Sequence, residues 1–126
     1  MPTIRAIEPR LNVADLKRSV AFYADVLGFN IGLLWPDDSP QFAILNRDGL
    51  RLQLVGGGSS SESSCALSFD VSGATDFYSS IKDKVSVEWG PEVYFYHRRE
   101  FGFRDPDGHM IIVSELTDDP VTDPEQ

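Results

Sequence analysis

The chain is poor in cysteine, in basic charge and in long apolar runs, and each shortage removes a class of protein. Its one cysteine, Cys65, excludes an intrachain disulfide and a cysteine-built zinc cage. Eleven Lys and Arg stand against 20 Asp and Glu, a net charge of −9 at pH 7. Such a chain repels phosphate backbones, so neither nucleic acid nor an anionic membrane surface is expected as a partner. No apolar run approaches the roughly 18–20 residues that a bilayer span requires. The opening Met1-Pro2-Thr3-Ile4-Arg5 has no basic segment leading into an apolar one, so a cytoplasmic location is expected. What is present, 126 residues with 41% hydrophobic and 25% charged side chains, suits one domain with a packed core.

That domain reads as two similar halves. The stretch Gly56-Gly57-Gly58-Ser59-Ser60-Ser61-Glu62-Ser63-Ser64 has the composition of a solvated linker. It separates a first module, residues 3–55, from a second, residues 65–116, and an acidic tail over 117–126 is expected to be frayed. Each half is small for a core of its own, so the two are expected to pack together. In the first, Leu11 and Val13 alternate, Asp15 suits an N-cap, and Leu16, Val20, Tyr23 and Leu27 recur at helical spacing before Gly28. Strand-like runs follow over 29–35, 41–46 and 50–55, the last two joined by Asp48-Gly49. In the second, Leu67, Phe69 and Val71 alternate, and Ala74, Phe77, Tyr78, Ile81 and Val85 give a helix an apolar face. Runs over 85–89, 93–104 and 110–115 follow, with the turn Asp105-Pro106-Asp107-Gly108 before the last. Leu11 to Phe69, Val13 to Val71 and Leu16 to Ala74 are each 58 residues, and the Asp-Gly turns are 59 apart. A near-constant offset through strand, helix and hairpin predicts two copies of one βαβββ unit, an α+β fold.

Val13-Ala14-Asp15, Phe22-Tyr23 and Leu27-Gly28-Phe29 resemble the opening of the vicinal oxygen chelate superfamily. Arg99-Glu100-Phe101 with Arg104-Asp105-Pro106-Asp107-Gly108 resembles the closing motif of its glyoxalase and bleomycin-resistance branch. The resemblance implies two βαβββ modules whose sheets curl into a cleft. It also brings a range of activities, from glyoxalase I, extradiol dioxygenases and fosfomycin-resistance transferases to metal-free bleomycin-binding proteins.

Enzymes of the superfamily hold one divalent metal on four positions, two per module. Transferred to this chain by resemblance, those positions are Glu8, Gln53, Ala66 and Ile112. Strand alternation agrees: with Leu11 and Val13 turned to the helix, Glu8, Arg10 and Asn12 face away from it. By the same rule Ala66, Ser68 and Asp70 face away in the second module. A divalent ion needs about three or more protein donors. Ala66 and Ile112 supply none, so no metal and no cofactor is expected. His97 and His109 are read as surface side chains, Cys65 as inert, and Arg99 with Glu100 as an ion pair. Glu8 with Arg10 also reads most simply as an ion pair. The Asp-Pro-Asp-Gly turn is read as purely structural. The closing expectation is a metal-free protein that binds a small aromatic or cationic molecule and acts as a homodimer. Its ligand residues are expected to be Glu8, Arg10, Trp35, Gln53, Ser68, Tyr96 and Ile112. The alternative is a metal-dependent lyase, isomerase or dioxygenase with atypical ligands.

Overall fold

The computed structural model describes residues 2–57 and 65–123, so most of the glycine–serine linker lies outside the described residues. The chain divides into two compact units, Met1–Ser64 and Cys65–Gln126.

In the first unit the order is β1 (Arg10–Asn12), α1 (Leu16–Ala21), a π-helical turn (Phe22–Val26), β2 (Asn30–Trp35), β3 (Phe42–Arg47) and β4 (Leu50–Val55). The sheet runs β1-β4-β3-β2, with β1 parallel to β4 and the other pairs antiparallel. Asp15 caps α1 as its position suggests, its carboxylate accepting the Arg18 N–H at 3.2 Å. The helical period from Leu16 to Leu27 predicts one continuous helix, but the α-helix ends at Ala21 and a π turn continues it. The apolar period persists across that change, because Leu16, Val20, Tyr23 and Leu27 are all buried. Gly28 ends the segment at φ +73°, and Arg47 Nη1 donates to the Leu27 carbonyl at 2.6 Å, satisfying one orphaned acceptor. Ala43, Leu45, Leu52 and Leu54 complete this core. Each fully buried leucine contributes on the order of 1.5–3 kcal/mol.

The second unit repeats the plan with β5 (Ala66–Asp70), α2 (Ala74–Ile81), β6 (Val87–Tyr94), β7 (Arg98–Arg104) and β8 (Met110–Leu116). Its sheet order, β5-β8-β7-β6, is the first unit's order moved along the chain. Phe101 is buried against α2, with ring centroids 5.3 Å from Tyr78 and 6.4 Å from Phe77. The expected helix to Val85 stops at Ile81. The run expected over 93–104 is two strands, parted by a turn over 95–97 in which His97 takes φ +63°. Over its described residues, 117–123, the tail is not frayed as expected: Thr122 and Asp123 donate backbone N–H groups to the Val93 carbonyl, and Asp119 pairs with Arg99. The Asp-Pro-Asp-Gly turn is closed by the buried Asp105 carboxylate, which accepts the N–H groups of Asp107 and His109 at 2.9 Å each. The Asp105 side chain is therefore spent on shaping the hairpin, as the sequence suggests.

Candidate functional site

Each sheet carries a helix on one face, and alternation sends every second side chain to the other, open face. On the first module's open face, register sets Arg10 beside Gln53 and Gln53 beside Ile44, with Phe42 beside Val55 and Trp35. The Gln53 amide bridges two charges. Its oxygen accepts from Arg10 Nε at 2.7 Å, and its nitrogen donates to Glu8 at 3.1 Å. Glu8 pairs with Arg51 at 3.5 Å, while the Arg10 guanidinium lies 5.3 Å from the centre of the Phe42 ring. The simple Glu8–Arg10 ion pair of the sequence reading is thus replaced by Glu8–Arg51, with Gln53 standing between Glu8 and Arg10. Trp35 ends β2 and is 63% exposed.

On the second module's open face, Ser68 lies opposite Ile112 and Ala66 opposite Met110. One row further, Glu100 lies between Ser114 on β8 and Glu92 on β6. Glu100 is 9% exposed and accepts two hydroxyl hydrogens, from Tyr96 at 2.5 Å and Ser114 at 2.8 Å. Burial first, then the bond to Glu100, pushes the Tyr96 phenol up to about 12, so it remains a donor at any physiological pH. Arg98 reaches Asp70 at 3.0 Å and the Ser114 hydroxyl at 3.3 Å. Aromatic rings line this face: Tyr94 stacks on Tyr96 at 5.8 Å, and Trp89 meets Tyr94 edge-on at 6.0 Å. Gly102 makes room for the indole, since a Cβ there would overlap it, with Cζ2 at 2.6 Å.

Glu8, Arg10 and Gln53 are thus brought together on one module, and Ser68 adjoins Ile112 on the other, where Tyr96 leads to Glu100. Sequence reasoning missed Glu100, taking it as the partner of Arg99. Alternation along Arg98–Arg104 separates the two, placing Glu100 and Gly102 on the open face opposite Phe101 and Phe103, and Arg99 pairs with Asp119. That signal was available in the sequence. His109, expected at the surface, is fully buried, and its Nδ1 accepts the Cys65 N–H at 3.0 Å. Cys65 is exposed, and its thiol is pushed up by desolvation and then by Asp105, which lowers its thiolate fraction. An unanticipated groove of about 560 Å³ opens on the helix side of the first module, between Leu16 and Val20 of α1 and Ile31 and Leu34 of β2.

A model of the Glyoxalase/Bleomycin resistance protein/Dioxygenase superfamily matches residues 4–113, nearly the whole described chain. The chain belongs to this superfamily. A search of curated protein sequences gives no significant match. Among solved structures, TioX from Micromonospora sp. ML1 is similar at TM-score 0.80 and 17% identity, over 88% of this chain and 98% of that one. An integron cassette protein from the mobile metagenome of the Halifax Harbour sewage outfall gives 0.75 and 24%, over 90% and 100%. A lactoylglutathione lyase from Agrobacterium tumefaciens gives 0.72 and 21%, over 91% and 96%. At these identities the likeness establishes the fold.

The superfamily's divalent metal does not fit the side chains present. Ala66 and Ile112 have no donor atoms, and both ends of the Gln53 amide are engaged by Arg10 and Glu8. Among the described residues no group of three or more His, Cys, Asp or Glu is placed to hold a metal ion. No helix is long and apolar enough to cross a membrane, again among the described residues.

Proposed function

We propose that this superfamily member is a metal-free small-molecule-binding protein that sequesters an aromatic or cationic ligand on the open sheet faces, without transforming it. The observation that carries the reading is the chemistry of the four family metal positions. Two have no donor atom, and the other two, Glu8 and Gln53, are committed to Arg51 and Arg10. Sheet faces offering Glu8, Arg10, Gln53 and Trp35 on one module, and Ser68, Ile112 and Tyr96 on the other, suit recognition better than bond making. The net charge of −9 favours a cationic or neutral ligand.

The protein acts as a cytoplasmic homodimer in this reading. Support comes from apolar side chains left exposed in this chain: Ile4 and Ile7 are 87% and 90% exposed, and β2 presents Ile31, Leu33 and Trp35 along a sheet edge. Light scattering at tens of micromolar is expected to give twice the chain mass.

The rival reading, a metal-dependent lyase, isomerase or dioxygenase, draws on the likeness to the lactoylglutathione lyase. Metal analysis of protein purified without chelator decides between them. The expected result is less than a tenth of an equivalent of zinc, nickel, iron or manganese per chain, on the order of background binding. One equivalent per chain, lost on Glu8→Ala, would give the rival its metal site.

A further inference from the structure

We infer that Glu100 is the recognition group of an aromatic-walled anionic site on the open face of the second module, which takes a planar organic cation bearing N–H donors, of the amidinium or protonated aminoheterocycle class. The inference deepens the proposal that this chain binds a small molecule, and rests on it.

The Glu100 carboxylate is bonded directly by dipoles alone among the described residues. Its two bonded partners, Tyr96 and Ser114, are neutral hydroxyls. No arginine of β7 bonds Glu100 directly among the described residues: Arg98 pairs with Asp70 and reaches only the Ser114 hydroxyl, Arg99 pairs with Asp119 and Arg104 with Glu88. A carboxylate offers about four acceptor positions, of which two are filled here. Directly across the β6–β7 pair stands Glu92, half-buried, with no basic side chain among the described residues bonded to it. Like charges placed directly opposite on neighbouring strands are unfavourable, and a cation on that face would relieve them.

The walls select the shape of that cation. Tyr94 and Tyr96 lie nearly parallel, 9° apart, and Trp89 stands against Tyr94 above the space left by Gly102. Such rings offer flat apolar area and attract positive charge to their faces. Burial first, and then Asp123, Glu92 and Glu100, raise the Tyr94 phenol, consistent with a negative potential at this site. A planar N–H donor can meet the free carboxylate positions with charge-assisted bonds, while an anion is repelled. A neutral isostere keeps the ring contacts and loses the charge.

The test is calorimetric titration of the full chain with benzamidine, benzamide and benzoate, beside a thermal-shift screen of neutral and cationic aromatic compounds. Benzamidine is expected to bind at least about tenfold more tightly than benzamide, and benzoate not at all. Glu100→Gln should erase that preference and leave benzamide unchanged. Should that variant fold poorly by circular dichroism, Glu92→Gln supplies the second reading, with a loss of about threefold or more for benzamidine alone. Equal binding of benzamidine and benzamide, or a preference that survives both variants, overturns the inference. So does a calcium-induced shift that displaces benzamidine and is abolished by chelator, which would assign the carboxylates to a metal ion. Screen hits that depend on Arg10 or Gln53 and ignore Glu100 would sink this site while leaving small-molecule binding intact. A screen without any hit would remove both.

Discussion

In the first module the row formed by β1 and β4 is polar, with Arg10 bonded to Gln53, and the next row is apolar, with Phe42 beside Val55. In the second module the corresponding row is Ser68 beside Ile112, and the next holds Glu100 beside Ser114. The correspondence follows from the registers, since Arg10 to Ser68 and Phe42 to Glu100 are both 58 residues. Helix capping has been exchanged too. Asp15 caps α1 with its own side chain, whereas the matching residue, Gly73, has no side chain to offer. Its N–H and that of Ala74 are taken instead by Glu115, reaching over from β8 at 2.8 and 2.9 Å. A one-residue slip would turn each buried face to solvent, so the buried leucines, valines and phenylalanines hold the register. That leaves the open faces free to diverge, and they carry two unlike polar clusters.

The sharpest break in the comparison is predicted at the bulged second strand. Both modules place a glycine there, Gly32 in β2 and Gly90 in β6. At Gly90 an added methyl would overlap the Glu100 carbonyl oxygen and lie 2.9 Å from Phe101 Cα, at a φ of +74°. Both obstacles are backbone and cannot yield. At Gly32 one obstacle is the Asn46 side chain at 2.8 Å and the other the Ile44 carbonyl at 3.2 Å, with no left-handed φ. Gly90→Ala should therefore cost about 3 kcal/mol or more and Gly32→Ala about 1 kcal/mol. Urea unfolding of both variants checks this, and equal costs would show that the two bulges are equivalent.

The sequence carried the duplication because it lies in buried periodicity, the one pattern both modules share. Leu11 and Val13, and Phe101 and Phe103, announce their faces by alternation with polar neighbours. The third and fourth strands of the first module are readable to within a residue for the same reason. Contacts made at long range were hidden. Nothing local marks Glu115 as a helix cap 42 residues away, Gln53 as the bridge between Glu8 and Arg10, or Thr122 as a partner of Val93. The acidic tail has a solvated composition, yet its backbone finds acceptors on β6, which composition cannot report. The π turn was hidden as well, since α and π segments bury nearly the same residues over so short a span.

The borrowed cap gives the second prediction. The N–H groups of Gly73 and then Ala74 hold the Glu115 carboxyl below its ordinary range. A folded-state value below the unfolded one stabilises the fold above the unfolded value, and that stability is lost as pH falls through the folded one. Glu115→Gln should thus cost about 1 kcal/mol at pH 7, with the gap from wild type closing in acid. Asp15→Ala should cost a similar amount through the local cap. Denaturant midpoints from pH 7 down to pH 3 measure both. A Glu115 gap that persists undiminished at the acid end would mean that packing, and not the carboxylate, secures α2.

The smallest effect is expected where the modules differ most visibly. Converting the first module's row to the second's, by Arg10→Ser with Gln53→Ile, removes the bonds from Gln53 to Arg10 and Glu8. Those bonds are cheap to lose, because Arg10 is exposed and Glu8 keeps Arg51 as its ion partner. The new isoleucine would lie beside Ile44, a cross-strand apolar pair that offsets part of the loss. Removing Arg10 also takes away its position over Phe42, worth about 0.5–1 kcal/mol at an exposed site. The net change in stability should stay within about 1 kcal/mol, read from urea midpoints. Ligand affinity discriminates more finely than stability. If the first module's polar row contacts ligand, the double variant should bind the same screened compounds about tenfold less tightly with its fold intact. An unchanged affinity alongside unchanged stability would leave that row as solvated surface and concentrate recognition on the second module.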